Sequence, residues 1–177
     1  MEPQTVRHGI APVFDGRSRV LVLGTMPSPA SREAGFYYAH PQNRFWKVLG
    51  ALFGCPGPVG AQARRSFLLE RGIAMWDVLG SCTIEGASDA SIRDPKPNDL
   101  SRIARKADLA AVFTTGSKAA ELYRRHSARM LPGVRHVPLP STSAANARMR
   151  LADLVAAYRP LVEVLAACEE ADRRRKA

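Results

Sequence analysis

Three short runs hold most of the residues that could do chemistry. Residues 35–49 read GFYYAHPQNRFWKVL, with Phe36, Tyr37 and Tyr38 side by side. In an extended segment, alternation sends Phe36 and Tyr38 to one side and Tyr37 to the other. One side can join a core while the other offers a stacking surface to a planar base. An aromatic plug at the end of a sheet accounts for the same residues. Asn43 directly precedes an apolar helical run. It is suited to cap that helix, or to hold a water through its side-chain oxygen. Asp77 sits in a strand otherwise made of Ile73, Ala74, Met75, Trp76, Val78 and Leu79. A carboxylate there must be hydrogen-bonded or poorly hydrated. It either caps a neighbouring loop or accepts from the ring N–H of a bound base. In PSTSAANAR, Ser141, Thr142, Ser143 and Asn146 come straight after a strand. Small hydroxyl residues let a backbone approach a phosphate and donate to it, and they also suit the N-cap of a following helix.

The elements that must position these groups are legible as apolar runs. RVLVLG (19–24), GIAMWDVL (72–79), LAAVFTTG (109–116) and VRHVPLP (134–140) read as buried strands. Their continuous apolarity suits a parallel sheet covered on both faces. Phe45, Val48, Leu49, Leu52 and Phe53 recur at helical spacing. Leu100, Ile103, Ala104 and Ala107 do the same behind Asn98 and Asp99, which are expected as caps. A further helix is expected over 117–130. Residues 145–158 and 161–171 give one broken or two successive helices, because Pro160 interrupts the ladder. The fold class is α/β, a three-layer sandwich with a four-stranded parallel sheet between helices. Ligands of such sheets bind beyond the carboxyl ends of the strands, where the loops after 24, 79 and 140 all fall.

The 177 residues suit one domain spanning 1–177. Net charge is +10, and 21 of the 26 basic residues are Arg, which favours polyanions, although an Arg-rich composition alone would give the same count. The tail ADRRRKA reads as a frayed, solvated end. Cys55, Cys82 and Cys168 match no metal pattern, and the four histidines form no ligand pair, so no metal or cofactor is expected. No apolar run of ~20 residues and no leader-type segment is present, so a cytoplasmic protein is expected, with no membrane among its partners.

The run GTMPS…GFYYAHPQNRFWKVL resembles the first motif of the uracil-DNA glycosylase superfamily, especially its mismatch-specific branch. Together with WDVLGSC and LPSTSAANA in this order, the pattern is most similar to the hypoxanthine-DNA glycosylase branch. The resemblance implies a base pocket lined by Gly24, Met26, Tyr38 and Asp77, with Tyr38 stacking on the extruded base and Asp77 reading its edge. It implies DNA contacts from Ser28, Ser141, Thr142, Ser143, Asn146 and Arg148. Met26 departs from the superfamily, many members having a water-activating Asp or Asn there. Leu139 departs likewise, many members having a His that stabilises the leaving base. The hypoxanthine branch lacks both groups and uses the Asn of its NRFW element, which matches Asn43. The resemblance therefore implies a monofunctional glycosylase for hypoxanthine or uracil in DNA, with Asn43 catalytic, acting as a nucleoid-associated monomer that initiates base excision repair. Lys47 is the one lysine within these motifs, which speaks against a Schiff-base lyase step. A non-catalytic nucleic-acid or nucleotide-binding module, and an enzyme for free nucleosides, are the alternatives.

Overall fold

The computed structural model describes residues 2–177, which hold seven strands. These are β1 (Gln4–Arg7), β2 (Val20–Gly24), β3 (Ile73–Asp77), β4 (Leu79–Ile84), β5 (Arg93–Pro97), β6 (Ala111–Thr115) and β7 (Arg135–Leu139). The α-helices are α1 (Pro29–Ala34), α2 (Phe45–Leu52), α3 (Ala61–Glu70), α4 (Ser101–Ala104), α5 (Ser117–Leu122) and α6 (Leu151–Lys176). The four runs read as strands from their apolarity form one all-parallel sheet in the order β3-β2-β6-β7. Val20, Leu21, Val22 and Leu23 are all fully buried, as continuous apolarity requires when both faces are covered. The sheet is flanked by helices: α3 lies beside β3, α5 beside β6 and β7, and α6 packs on α2 and β2. The order reverses between β2 and β6, and the crevice at that switch point opens beyond Gly24 and Thr115.

A second sheet is absent from the sequence reading. β1, β4 and β5 form an antiparallel sheet in the order β1-β4-β5. Only Val78 separates β3 from β4, so the chain leaves one sheet and joins the other immediately after Asp77. The turn-rich, polar composition of residues 80–97 hid these strands. Asn98 is not a helix cap. Its Nδ2 donates to the carbonyls of Asp77 and Leu79, each at 3.0 Å, and clamps that junction. Asp99 does accept from the Ser101 N–H, at 3.1 Å.

Three helical expectations also change. α5 stops at Leu122 and continues as a π turn, Tyr123–Ser127, and a 3-10 turn, Ala128–Met130. α6 starts at Leu151, six residues later than expected, and runs unbroken through Pro160. A proline inside a helix costs ~3 kcal/mol. Here Leu154, Tyr158, Leu161, Leu165 and Cys168 form one buried stripe across it, and that packing outweighs the lost hydrogen bond. The basic tail is helical to Lys176 rather than frayed, with Arg174 paired to Glu170 and Arg175 to Asp172.

Candidate functional site

The carboxyl edge of the parallel sheet opens into a cavity of about 390 Å³. Gly24, Tyr38, Asn43, Asp77, Asp89 and Thr115 are among the residues that line it. A side chain at Gly24 cannot fit: a Cβ there would lie 2.4 Å from Asp77 Oδ1 and 3.1 Å from the Tyr38 hydroxyl oxygen. Glycine thus lets the carboxylate and the ring meet at the end of β2. Met26 lines the same cavity and is half-buried.

The aromatic triplet is divided, though not as alternation suggested. Phe36 and Tyr37 are both buried, at 7% and 2% exposure; Tyr37 and Tyr38 both line the cavity, and of the three rings only Tyr38 is half-buried rather than buried. The segment is a turn, not an extended strand, so the period of two does not apply. Tyr38 has φ of 51°, in the left-handed region that costs a non-glycine residue ~1 kcal/mol or more. The Tyr37 hydroxyl donates to the Ala11 carbonyl at 2.9 Å. One face of the Tyr38 ring stacks on Phe45, with centroids 4.0 Å apart and planes 15° off parallel. Its hydroxyl lies 2.7 Å from Thr115 Oγ1. Burial, and then the nearby Asp77 charge, hold the phenol well above its ordinary pKa, so it stays protonated.

Asn43 joins two elements. Its Oδ1 accepts from the Phe45 N–H at 2.9 Å, at the start of α2, and from the Thr142 hydroxyl at 2.8 Å. A backbone N–H only donates, which fixes the amide with its oxygen inward. The expectation that this oxygen holds a water therefore meets an oxygen already accepting two bonds. The group left for the cavity is Nδ2, which has no partner among the described residues. Thr142 is buried, at 1% exposure, so it braces Asn43 instead of facing a phosphate.

Arg44 fixes the loop after β7. Its backbone N–H reaches the Thr142 carbonyl at 3.1 Å. The guanidinium donates to the carbonyls of Thr142 (3.4 Å), Ser143 (2.8 Å), Asn146 (3.0 Å) and Met149. Within the loop, Ser141 Oγ accepts from Ser143 N, Ser143 Oγ from Ala145 N, and Asn146 Nδ2 donates to the Ser141 carbonyl. This loop is not the cap of α6, whose N-cap is Arg150. Ser28 caps α1, accepting from Ser31 N at 3.2 Å, and lines the cavity. Arg148 is exposed and points to no partner among the described residues.

Two groups were missed in the sequence. Asp89, in the 3-10 turn after β4, lines the cavity and accepts from the Thr25 hydroxyl at 3.0 Å. Asp89 as a whole is exposed, but partial desolvation of its carboxyl at the cavity, opposed by the Thr25 hydrogen bond, and then the Asp77 charge raise its pKa above the ordinary Asp value. His8 Nε2 lies 2.7 Å from Asp77 Oδ2. Neither belongs to a recognisable spacing, because the antiparallel sheet delivers both. At the position where a leaving-group His was absent, Leu139 is a buried core residue, 4% exposed.

A family model described as the uracil DNA glycosylase superfamily matches residues 11–164, a span that begins after His8. A hypoxanthine DNA glycosylase of Methanosarcina barkeri is 33% identical over 117 residues, covering 65% of this chain and 74% of that protein. One of Methanosarcina acetivorans is 31% identical over 145 residues, covering 81% and 90%. The solution NMR structure of a candidate uracil DNA glycosylase from Methanosarcina acetivorans superposes with a TM-score of 0.73 at 30% identity, over 89% of this chain and 99% of that one.

Proposed function

We propose that this chain, which belongs to the uracil DNA glycosylase superfamily and is thereby a DNA glycosylase, hydrolyses the N-glycosidic bond of a deaminated base, hypoxanthine before uracil. The observation that carries the reading is the meeting of Asp77, Gly24 and Tyr38 at one sheet end. A planar base that enters this cavity stacks on the free face of Tyr38, which Phe45 backs from behind. Asp77 Oδ1 then stands at the base edge. Hypoxanthine and uracil present a ring N–H there, whereas adenine and cytosine present a bare ring nitrogen. A carboxylate acceptor facing a lone pair is left unpaired in a buried site, which penalises the normal bases.

The glycosidic bond is inaccessible in a stacked duplex, so the nucleotide must first rotate out. Exposed Arg148 and the serine loop hold the flanking phosphates. Asn43 positions the attacking water, with Nδ2 donating to the water oxygen. An amide orients a water without taking its proton, which suits a reaction in which the base departs ahead of the attack. The product is an abasic site, and no lysine of these motifs is placed to open it. In this reading the chain starts base excision repair as a monomer.

The test is single-turnover incubation with matched duplexes carrying deoxyinosine, deoxyuridine or deoxyxanthosine, followed by alkali. Alkali-dependent cleavage at deoxyinosine is the expected result. The buried Leu139 and the apolar Met26, where catalytic groups stand in many relatives, favour one other reading: a binding module without catalysis. A gel shift with no abasic product would establish that reading instead.

A further inference from the structure

We infer that His8 positions the base-reading carboxylate: its Nε2–H holds Asp77 Oδ2, so Oδ1 is the oxygen offered to the ring N–H of the extruded base. The inference rests on the reading of Asp77 above. The His8 and Asp77 side chains are 2% and 6% exposed, and the contact is 2.7 Å. His8 Nδ1 accepts from the Ile10 N–H at 3.3 Å. That bond fixes the tautomer of the neutral ring, because a backbone N–H needs a bare nitrogen and the proton must then sit on Nε2. The ring is wedged between Tyr37 and Trp76, with centroids 6.0 and 6.3 Å away. The His8 backbone N–H donates to the Gly80 carbonyl at 2.8 Å, which extends the β1–β4 pairing by one step. The other carboxylate oxygen has no donor among the described residues, and Gly24 keeps the space beside it clear.

This geometry makes a directional demand on position 77. In Asp77→Asn, the His8 N–H selects the amide oxygen, and the NH₂ turns to the cavity. The acceptor at the base edge becomes a donor. Hypoxanthine then meets donor against donor, and adenine finds a partner for its bare ring nitrogen.

The full chain is compared as wild type, His8→Ala, His8→Gln, Asp77→Asn and the His8→Ala/Asp77→Asn double variant. Single-turnover rates are read on deoxyinosine and deoxyadenosine duplexes, with DNA affinity and melting in parallel. Asp77→Asn is expected to collapse the preference for deoxyinosine by about a hundredfold or more. His8→Ala lowers the deoxyinosine rate about tenfold at nearly unchanged DNA affinity, since one hydrogen bond to a charged group is lost. His8→Gln, whose amide nitrogen falls near the position of Nε2, restores most of the rate. In the Asp77→Asn background His8→Ala costs nothing further, because the two act as one unit. If Asp77→Asn keeps the wild-type preference, the base-edge reading falls and the inference with it. If Asp77→Asn collapses it but His8→Ala behaves as wild type, or costs the same tenfold in both backgrounds, only the positioning role falls. Should His8→Ala fail to fold, ¹H–¹⁵N correlation of the wild-type imidazole decides: a protonated Nε2 supports the inference, and a protonated Nδ1 overturns it.

Discussion

On one wall of the cavity, Arg44 reaches the carbonyls of Thr142, Ser143, Asn146 and Met149, and Thr142 in turn holds Asn43. On the opposite wall, one bond from His8 holds Asp77, and one from Thr25 holds Asp89. The first wall joins a helix start to a loop without regular structure. Such a loop has unpaired carbonyls, and a planar guanidinium with five donors can collect several of them at once. The second wall sets Asp77 at the end of β3, where Asn98 already takes up its carbonyl, and Asp89 in the 3-10 turn after β4, so only the carboxylates still need partners. The lesson is that the number of bonds follows from how much backbone each wall leaves unsatisfied. Redundancy on the Asn43 side and economy on the Asp77 side are the expected result.

The sharpest way to break the comparison is at Asn43. Asn43→Ala removes the cavity amide, and single-turnover cleavage of deoxyinosine should fall about a hundredfold or more. It also removes the acceptor for Phe45 N and Thr142, at a cost of ~1 kcal/mol in stability. Asn43→Ser retains the capping oxygen and loses Nδ2. It should melt like wild type and cleave like Asn43→Ala; near-full rate in Asn43→Ser would leave Asn43 as a cap alone.

Arg44→Lys tests the redundancy. An ammonium cannot span four carbonyls, and the stranded ones cost about 2 kcal/mol together. Chemical denaturation should show this loss, and duplex affinity should weaken as the serine loop loosens. An unchanged denaturation midpoint would mean that the loop holds its own shape.

Affinity for DNA sharpens the same wall. With net charge +10 and Arg148 exposed beside the loop, log affinity should fall steeply and linearly with log salt. Arg148→Ala should lower the slope by roughly one unit. A flat plot for wild type would remove the phosphate-contacting role from this face.

The smallest effect is expected on the Asp89 side. Its pKa is raised in the fold, so ionisation costs more there than in the unfolded chain. Stability from this group therefore falls as pH rises through the carboxylate range. Asp89→Asn should melt roughly 1–2 °C higher than wild type at pH 8, a shift of the size expected of a solvent-screened site. The gain should vanish below the ordinary Asp value of 3.8. An equal shift at both pH values would show that charge is not the cause.

The parallel sheet and its order of helices were legible because burial on both faces demands uninterrupted apolar residues, and those runs stand out in β2, β3, β6 and β7. Tyr38, Asn43 and Asp77 stood out because their types conflict with a plain core or strand, whereas Gly24 came only from the resemblance to the superfamily's first motif. The sequence could not show which way Asn43 points, since that depends on Thr142, ninety-nine residues away. Nor could it show that Pro160 lies inside one helix, because a buried stripe on α6 decides that. β1, β4 and β5 carry weak local patterns and exist by pairing with one another. Through them alone His8 arrives at Asp77, sixty-nine residues apart in sequence. Local pattern determined which residues must be buried and which are out of place among them. Long-range pairing decided which polar atoms meet, because a hydrogen bond depends on position to a few tenths of an ångström and sequence spacing does not reach that far.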